Sequence, residues 1–318
     1  MNPGPREERI APVLPEPQVL RPTAGTVTDA FDPSLTPVLT VDSGERFTVE
    51  ALDAHGFTRR PEHPGAPTPR LLEGAQGHCL SGPVAVRGAE PGDVVAVTIH
   101  AVRTAGWGWT VAGVDTPLNR RLGTTGRVDL LWDIGSGTAT NQLGFTVDTA
   151  PFLGVVGTTP AAPGRHSTIP PRPGHGGNVD CRSLVAGSTL FLPVHVPGAL
   201  LCLGDGHAAQ GDGEVCGTAV ECATTTDLSV AVVPAPALPT VHAVTPTERI
   251  TFGFDADLGA ATDAALGDLV TWVAAEHDLD RPTALALLSS CADLRVTQVA
   301  NRTWGVHAVL RHDTLRRR

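Results

Sequence analysis

Between Gly174 and Cys222 the sequence concentrates side chains that can do chemistry: GHGGNVDCRSLVAGSTLFLPVHVPGALLCLGDGHAAQGDGEVCGTAVEC. His175, Asn178 and Asp180 stand near one end. Asp205, His207, Gln210, Asp212, Glu214 and Glu221 stand near the other. Carboxylates and imidazoles spaced by glycine are the donor types of a hard or borderline metal site. Asp205 alternates with His207, and Asn178 with Asp180, so on extended segments each pair projects from one face. Glu214 suits a general base beside an activated water. On composition alone, a polar turn between strands explains the same residues. However, the flanks at 199–203 and 215–220 are apolar, which puts the cluster at the mouth of a core.

Several other chemistries are excluded. All 23 basic residues are Arg, so a Walker-type phosphate lysine, a Schiff base and the Ser-Lys or Cys-Lys-Glu catalytic sets are absent. No Ser has Gly two residues away on both sides, which removes a nucleophile elbow, and H-E-x-x-H does not occur. A calcium loop over 205–214 fails because Ala209 and Gln210 occupy a ligand position and the invariant Gly position, and the closing Glu comes early. Cys181, Cys202, Cys216 and Cys222 match no zinc spacing and read as small buried hydrophobes. His55, His63 and His166 receive no role. Asp53 and His78 read more simply as capped or solvated than as ligands.

A net charge of −10 disfavours nucleic acid and anionic membrane as partners. No apolar run is long enough to span a bilayer and no signal-peptide pattern opens the chain, so a reducing cytoplasm is the expected location.

The elements that must position the cluster are mostly strands. Gly 35 and Pro 28 imply many turns and therefore β structure. Short strands are expected at PVLTV, RFTVEAL, 146–156, 190–194, 228–233 and 241–253, and again near 294–300 and 304–310. GPVAVRGAEPGDVVAVTI at 82–99 reads as a β-hairpin about a Pro91-Gly92 turn. Apolar spacing from Leu258 to Val273 predicts a helix capped by Asp257, and a second helix begins at Asp280 with Pro282 in its first turn. The loop 54–77 has the length and composition of a lid or binding loop. The fold class is α+β with β dominant and a small helical C-terminal part. Residues 1–25 form a poorly packed lead-in, 26–312 one unit with a possible β part to about 160 and an α/β part beyond it, and 313–318 a basic tail.

GGNVD at 176–180, the segment LFLPVHVPGALLCLGDGHAAQGDGEVCGTAVE, the 82–99 segment and ALALLSSCADLRVTQV at 284–299 together resemble the acetamidase/formamidase family, in the family's order. That resemblance implies a β-rich fold, barrel- or sandwich-like with a swivelling β part. It implies hydrolysis of short-chain carboxamides to carboxylate and ammonia, a divalent metal with zinc ahead of calcium, and a homo-oligomer. With the residues above, it makes Asp180, Asp205, His207 and Glu221 the metal-ligand pool, and Glu214 and His207 the catalytic pair. Asn178, His78 and Gln210 become pocket residues. The segment His78-Cys79-Leu80-Ser81 departs from the family pattern, and 104–145 shows no match. A non-catalytic or re-specialised member, binding a small carbonyl or amine ligand or structural calcium, is the alternative.

Overall fold

Alternating apolar residues give the molecule two large sheets whose inner faces meet. In the computed structural model, which describes residues 18–316 apart from Val114 and Thr125, the strand Thr224–Val233 shows the pattern plainly. Its Leu228 and Val230 are buried while the residues between them are half-exposed. One sheet has nine strands in the order Gln18–Leu20, Arg46–Ala51, Thr224–Val233, Val94–Thr104, Thr189–Pro193, His242–Val244, Glu248–Asp255, Trp304–Arg311 and Ala292–Gln298. The other has eleven strands and is built about Leu201–Ala209, which pairs with Phe152–Gly157, Val220–Glu221 and Leu80–Val86. Phe47, Val97, Leu190 and Ile250 from the first sheet share a core with Val84, Leu153, Leu201 and Leu203 from the second. The β-dominant class is as expected. Both sheets are open-ended, and among the described residues no barrel closes.

The expected hairpin over 82–99 is replaced by an arch. Leu80–Val86 belongs to the eleven-stranded sheet and Val94–Thr104 to the nine-stranded one. Between them, the turn closes on itself through Asp93 N–H donating to Glu90 O, and it is tied to the 194–198 crossing by Gly92 N–H donating to Val194 O and Gly198 N–H to Ala89 O. Two alternating runs about a Pro-Gly turn look the same in sequence whether they pair with each other or separate into opposite layers.

The C-terminal helices follow their caps. Leu258–His277 starts where Asp257 accepts from Ala260 N–H, and Arg281–Leu288 where Asp280 accepts from Thr283 N–H. The long helix covers the outer face of the nine-stranded sheet, packing Ala261, Ala265, Leu269 and Val273 with Val306, Ala308 and Leu310. A short helix, Pro117–Leu122, capped by Thr116, was not legible in the pattern. The lead-in expected through residue 25 gives way earlier, since Gln18–Leu20 pairs parallel to Arg46–Ala51 and buries Leu20. The rest of that segment, residues 1–17, and the tail residues 317–318 lie outside the described residues. Within the tail, Leu315 packs on the helical cluster. A division near residue 160 has no counterpart in the sheets, because each takes strands from both sides of it.

The long helix sits so close that a Cβ on Gly253 would lie 1.8 Å from Ala261 O. Neither that carbonyl nor the strand can move independently. Gly253→Ala is expected to cost at least about 1–3 kcal/mol of stability, read as a lowered denaturation midpoint, with Gly267→Ala in the long helix, where a Cβ meets nothing within 4 Å, as the benign control.

Candidate active site

The strand Leu201–Ala209 is buried along almost its whole length, so Asp205 and His207 are core residues rather than the rim of a turn. Their alternation places both on one face, as expected. The neighbouring strand Val220–Glu221 sets Glu221 directly opposite His207. Asp180 follows the strand Gly176–Asn178 and reaches the same spot, its N–H donating to Gly154 O. Glu214 arrives from the loop after Ala209. That loop is pinned from the far side, where Gly213 N–H donates to Thr297 O and Val299 N–H to Gly213 O. The C-terminal part of the fold thus anchors the loop that carries Glu214.

These side chains meet. Donor atoms of Asp180, Asp205 and His207 lie within 4.8 Å of one another, and so do those of His207, Glu214 and Glu221. His207 Nε2 stands 3.5 Å from Asp205 Oδ1 and 3.3 Å from Glu221 Oε2. Both Asp180 oxygens, Asp205 Oδ1, His207 Nε2, Glu214 Oε2 and Glu221 Oε2 are buried without a hydrogen-bond partner. Buried polar atoms are normally satisfied, and a cluster of partnerless acceptors calls for a cation or for protons. Three of the residues, Asp180 (φ 49°), Asp205 (φ 57°) and Glu214 (φ 42°), hold left-handed backbone conformations that only the surrounding fold can sustain. The donor set fits a divalent ion.

Protonation follows from the same crowding. Burial drives Asp180 and Glu214 well above the ordinary carboxylate range; the neighbouring carboxylates add to it, and His207 opposes it. Burial also pushes Glu221 up to about 8, against the pull of His207. Burial opposes charge on His207 too, but Glu221 and Asp205 raise its pKa well above 6.5. Asp205 alone moves down: burial works against it, yet His207 and His78 together hold it ionised.

Second contacts set the orientation of the imidazole. Gln210 Nε2 donates to Asp180 O at 2.6 Å, and a carbonyl can only accept, so the amide oxygen must face His207 Nδ1 at 2.9 Å. Nδ1 therefore carries the hydrogen, and the lone pair of a neutral ring sits on Nε2, directed at the cluster. Phe152 holds the ring edge-on, with centroids 5.0 Å apart. Gln210, expected in the substrate pocket, stands behind His207, where it lines a second cleft that Glu214 also borders.

A cleft of about 300 Å³ opens onto Asp205, Glu214 and Glu221. Asn178 and His78 line it, with His78 Nε2 4.0 Å from Asp205 Oδ2. Asn178 Nδ2 donates to Ile169 O, which leaves a buried, partnerless Oδ1. The loop 54–77 supplies His55, Arg70 and Gln76, and the 104–145 segment supplies Trp109, stacked on His55 at 4.3 Å. His55, given no role from sequence, is a wall residue whose pKa falls to about 4 through burial and the Arg70 charge. Asp53 lies buried beneath this wall; its Oδ1 accepts from His55 and Phe57 N–H. His175 faces His195 instead, and Asp212 is exposed outside the cluster. All six cysteines are free thiols, and burial pushes Cys79, Cys181 and Cys202 up to about 12. Gly154 had no sequence signal. A Cβ there would lie 2.7 Å from Asp180 Oδ1, from Asp205 Oδ2 and from His207 Cε1, so only hydrogen fits against the cluster.

A family model matches at residues 19–166 and 158–244, and its description is the acetamidase/formamidase family. The chain belongs to that family. All five cluster residues fall inside the second matched stretch, and the 104–145 segment, which showed no match in the sequence pattern, lies inside the first. A formamidase from Methylophilus methylotrophus is 30% identical over 268 residues, covering 66% of this chain and 64% of that protein. The matches span 56% to 64% of the length of the curated relatives. Among solved structures, an acetamidase from Bacillus halodurans superposes with a TM-score of 0.83 at 28% identity, covering 92% of this chain and 97% of that one. An acetamidase from Yersinia enterocolitica gives the same TM-score and identity, covering 95% and 94%.

Two outcomes follow for this family member. Gly154→Ala is expected to weaken divalent-metal affinity by about 10–100-fold, measured by chelator competition, because it forces three cluster side chains apart. Metal-stripped protein should lose stability as pH rises from about 5 to about 9. Glu221 keeps its proton to about pH 8 when folded but releases it near 4.5 when unfolded, so its contribution is complete below 4.5 and gone above 8. The raised His207 pKa acts in the same direction. Thermal melts should show Glu221→Gln flattening that loss.

Proposed function

We propose that the protein is an amidohydrolase that cleaves a short-chain carboxamide, of the formamide or acetamide type, to carboxylate and ammonia, with a divalent ion in the buried cluster. The observation that carries this reading is the set of partnerless buried donor atoms on Asp180, Asp205, His207, Glu214 and Glu221. Relatives named formamidase and acetamidase support it. Asp180, Asp205, His207 and Glu221 would hold the ion, and an imidazole nitrogen among them favours zinc over calcium. Bound there, the ion would polarise the amide carbonyl and acidify a water.

The rest of the work falls to the chain. Glu214 lies at the boundary of cluster and cleft. It takes the water's proton and delivers it to nitrogen as the C–N bond breaks, because an amide anion is a very poor leaving group. Asn178 offers Oδ1 as an acceptor for the substrate's N–H. Gln210 keeps the His207 lone pair turned inward. Six free thiols suit a reducing cytoplasm, and the exposed Leu143 and Phe145 offer surface for the homo-oligomer.

Metal analysis paired with ammonia release from formamide, acetamide and propionamide tests the reading. Glu214→Gln is expected to keep its metal and lose about 10²–10⁴ in kcat. Full ammonia release by a metal-free preparation would sink the mechanism. A thermal shift with amide or Ca²⁺ but no ammonia from any substrate would instead support the re-specialised, non-catalytic alternative.

A further inference from the structure

The cleft above the cluster is more than a two-carbon amide needs. Its volume of about 300 Å³ falls at the lower end of pockets that enclose larger organic ligands. Its floor is acidic, through Asp205, Glu214 and Glu221, whereas its wall is set by Arg70, the one Arg among the lining residues.

Arg70 is exposed and has no carboxylate within 4.0 Å among the described residues, where eleven of nineteen arginines are paired. Its backbone is pinned by a bridge to Phe57 and by Leu71 N–H donating to Gly56 O, and its guanidinium lies 5.6 Å from the Phe57 ring centroid. That arrangement holds the backbone in place and lays the exposed guanidinium against one ring face. His55, its neighbour, stays neutral and does not repel it. At the other end, Asn178 Oδ1 is a buried acceptor without a partner, in a residue only 5% exposed. Its orientation is forced because Nδ2 is spent on Ile169 O. The cleft therefore offers an acceptor for a carboxamide N–H near the cluster and, on its wall, a solvent-facing guanidinium free of any carboxylate partner among the described residues.

We infer that the preferred substrate is a carboxamide whose acyl chain ends in a carboxylate, a half-amide of a short dicarboxylic acid, with Arg70 binding the free carboxylate. This rests on the amidase reading of the same cluster. A guanidinium binds carboxylate through paired, charge-assisted hydrogen bonds, and the neutral amide of equal length leaves it unpaired.

Ammonia release is measured on malonamate and succinamate against propionamide and butyramide, with wild type, Arg70→Gln and Arg70→Lys. Wild type is expected to favour the carboxylate-bearing amides by about tenfold in kcat/KM, less at high salt. Arg70→Gln should erase that ratio, and Arg70→Lys should restore part of it. Equal or better turnover of the neutral amides by wild type, or an equal loss of both classes in Arg70→Gln, overturns the inference. Calorimetry with succinate separates this from failure of the amidase reading. Succinate binding that Arg70→Gln abolishes upholds the anion site even if no amide is hydrolysed, and binding unaffected by the substitution rejects it.

Discussion

Four carboxylates and an imidazole are buried together between two sheets, and the fold is arranged to tolerate that charge. Bringing one ionised group into such an interior without compensation costs several kcal/mol, and like charges add to it. The chain supplies no Lys, and among the described residues no Arg pairs with these carboxylates, whose ion-pair partners are histidines. The compensation has to come from protons or from a bound cation, which is why burial drives Asp180, Glu214 and Glu221 upward together. An arrangement this unfavourable persists only where the surrounding packing over-determines it. The left-handed conformations at Asp180, Asp205 and Glu214 show that the backbone itself is held against its local preference.

That holding force is distributed. The strand Leu201–Ala209 is hydrogen-bonded on both sides, by Phe152–Gly157 and by Leu80–Val86 with Val220–Glu221, so Asp205 and His207 cannot shift without breaking the middle of a sheet. Gln210 links two of the contributing segments, with one hydrogen bond to His207 and one to the Asp180 carbonyl. Glu214 depends on elements far away in sequence, since its loop hangs on Thr297 and Val299. The helices at the C-terminus take no part in chemistry, yet by covering Trp304–Arg311 they stabilise the strand pair that anchors the loop.

Much of this was legible in one dimension because it depends on local pattern. Asp205 and His207 could be placed on one face from spacing alone. The helices at 258 and 281 announced themselves through apolar period and an Asp cap. The long loop 54–77 could be marked as a binding loop by its lack of any period. The close packing at Gly154 and the His207 contact of Gln210 were not legible, because nothing in their neighbours reveals what packs against them. His55 and Arg70 are ordinary loop residues until Trp109, from a different sheet segment, completes the wall.

By itself, the sequence determined the β-dominant class, the chemistry it lacks and the inventory of groups for a metal–water site. Side-chain alternation, caps and residue chemistry are properties of short windows. Only the tertiary structure decided that 82–99 is an arch between layers, that Gln210 ties His207 to the Asp180 carbonyl, and that Glu214 is shared by cluster and cleft. Each of those outcomes depends on partners that the chain brings in from tens or hundreds of residues away. Sheet pairing and burial, which no local window encodes, make those contacts.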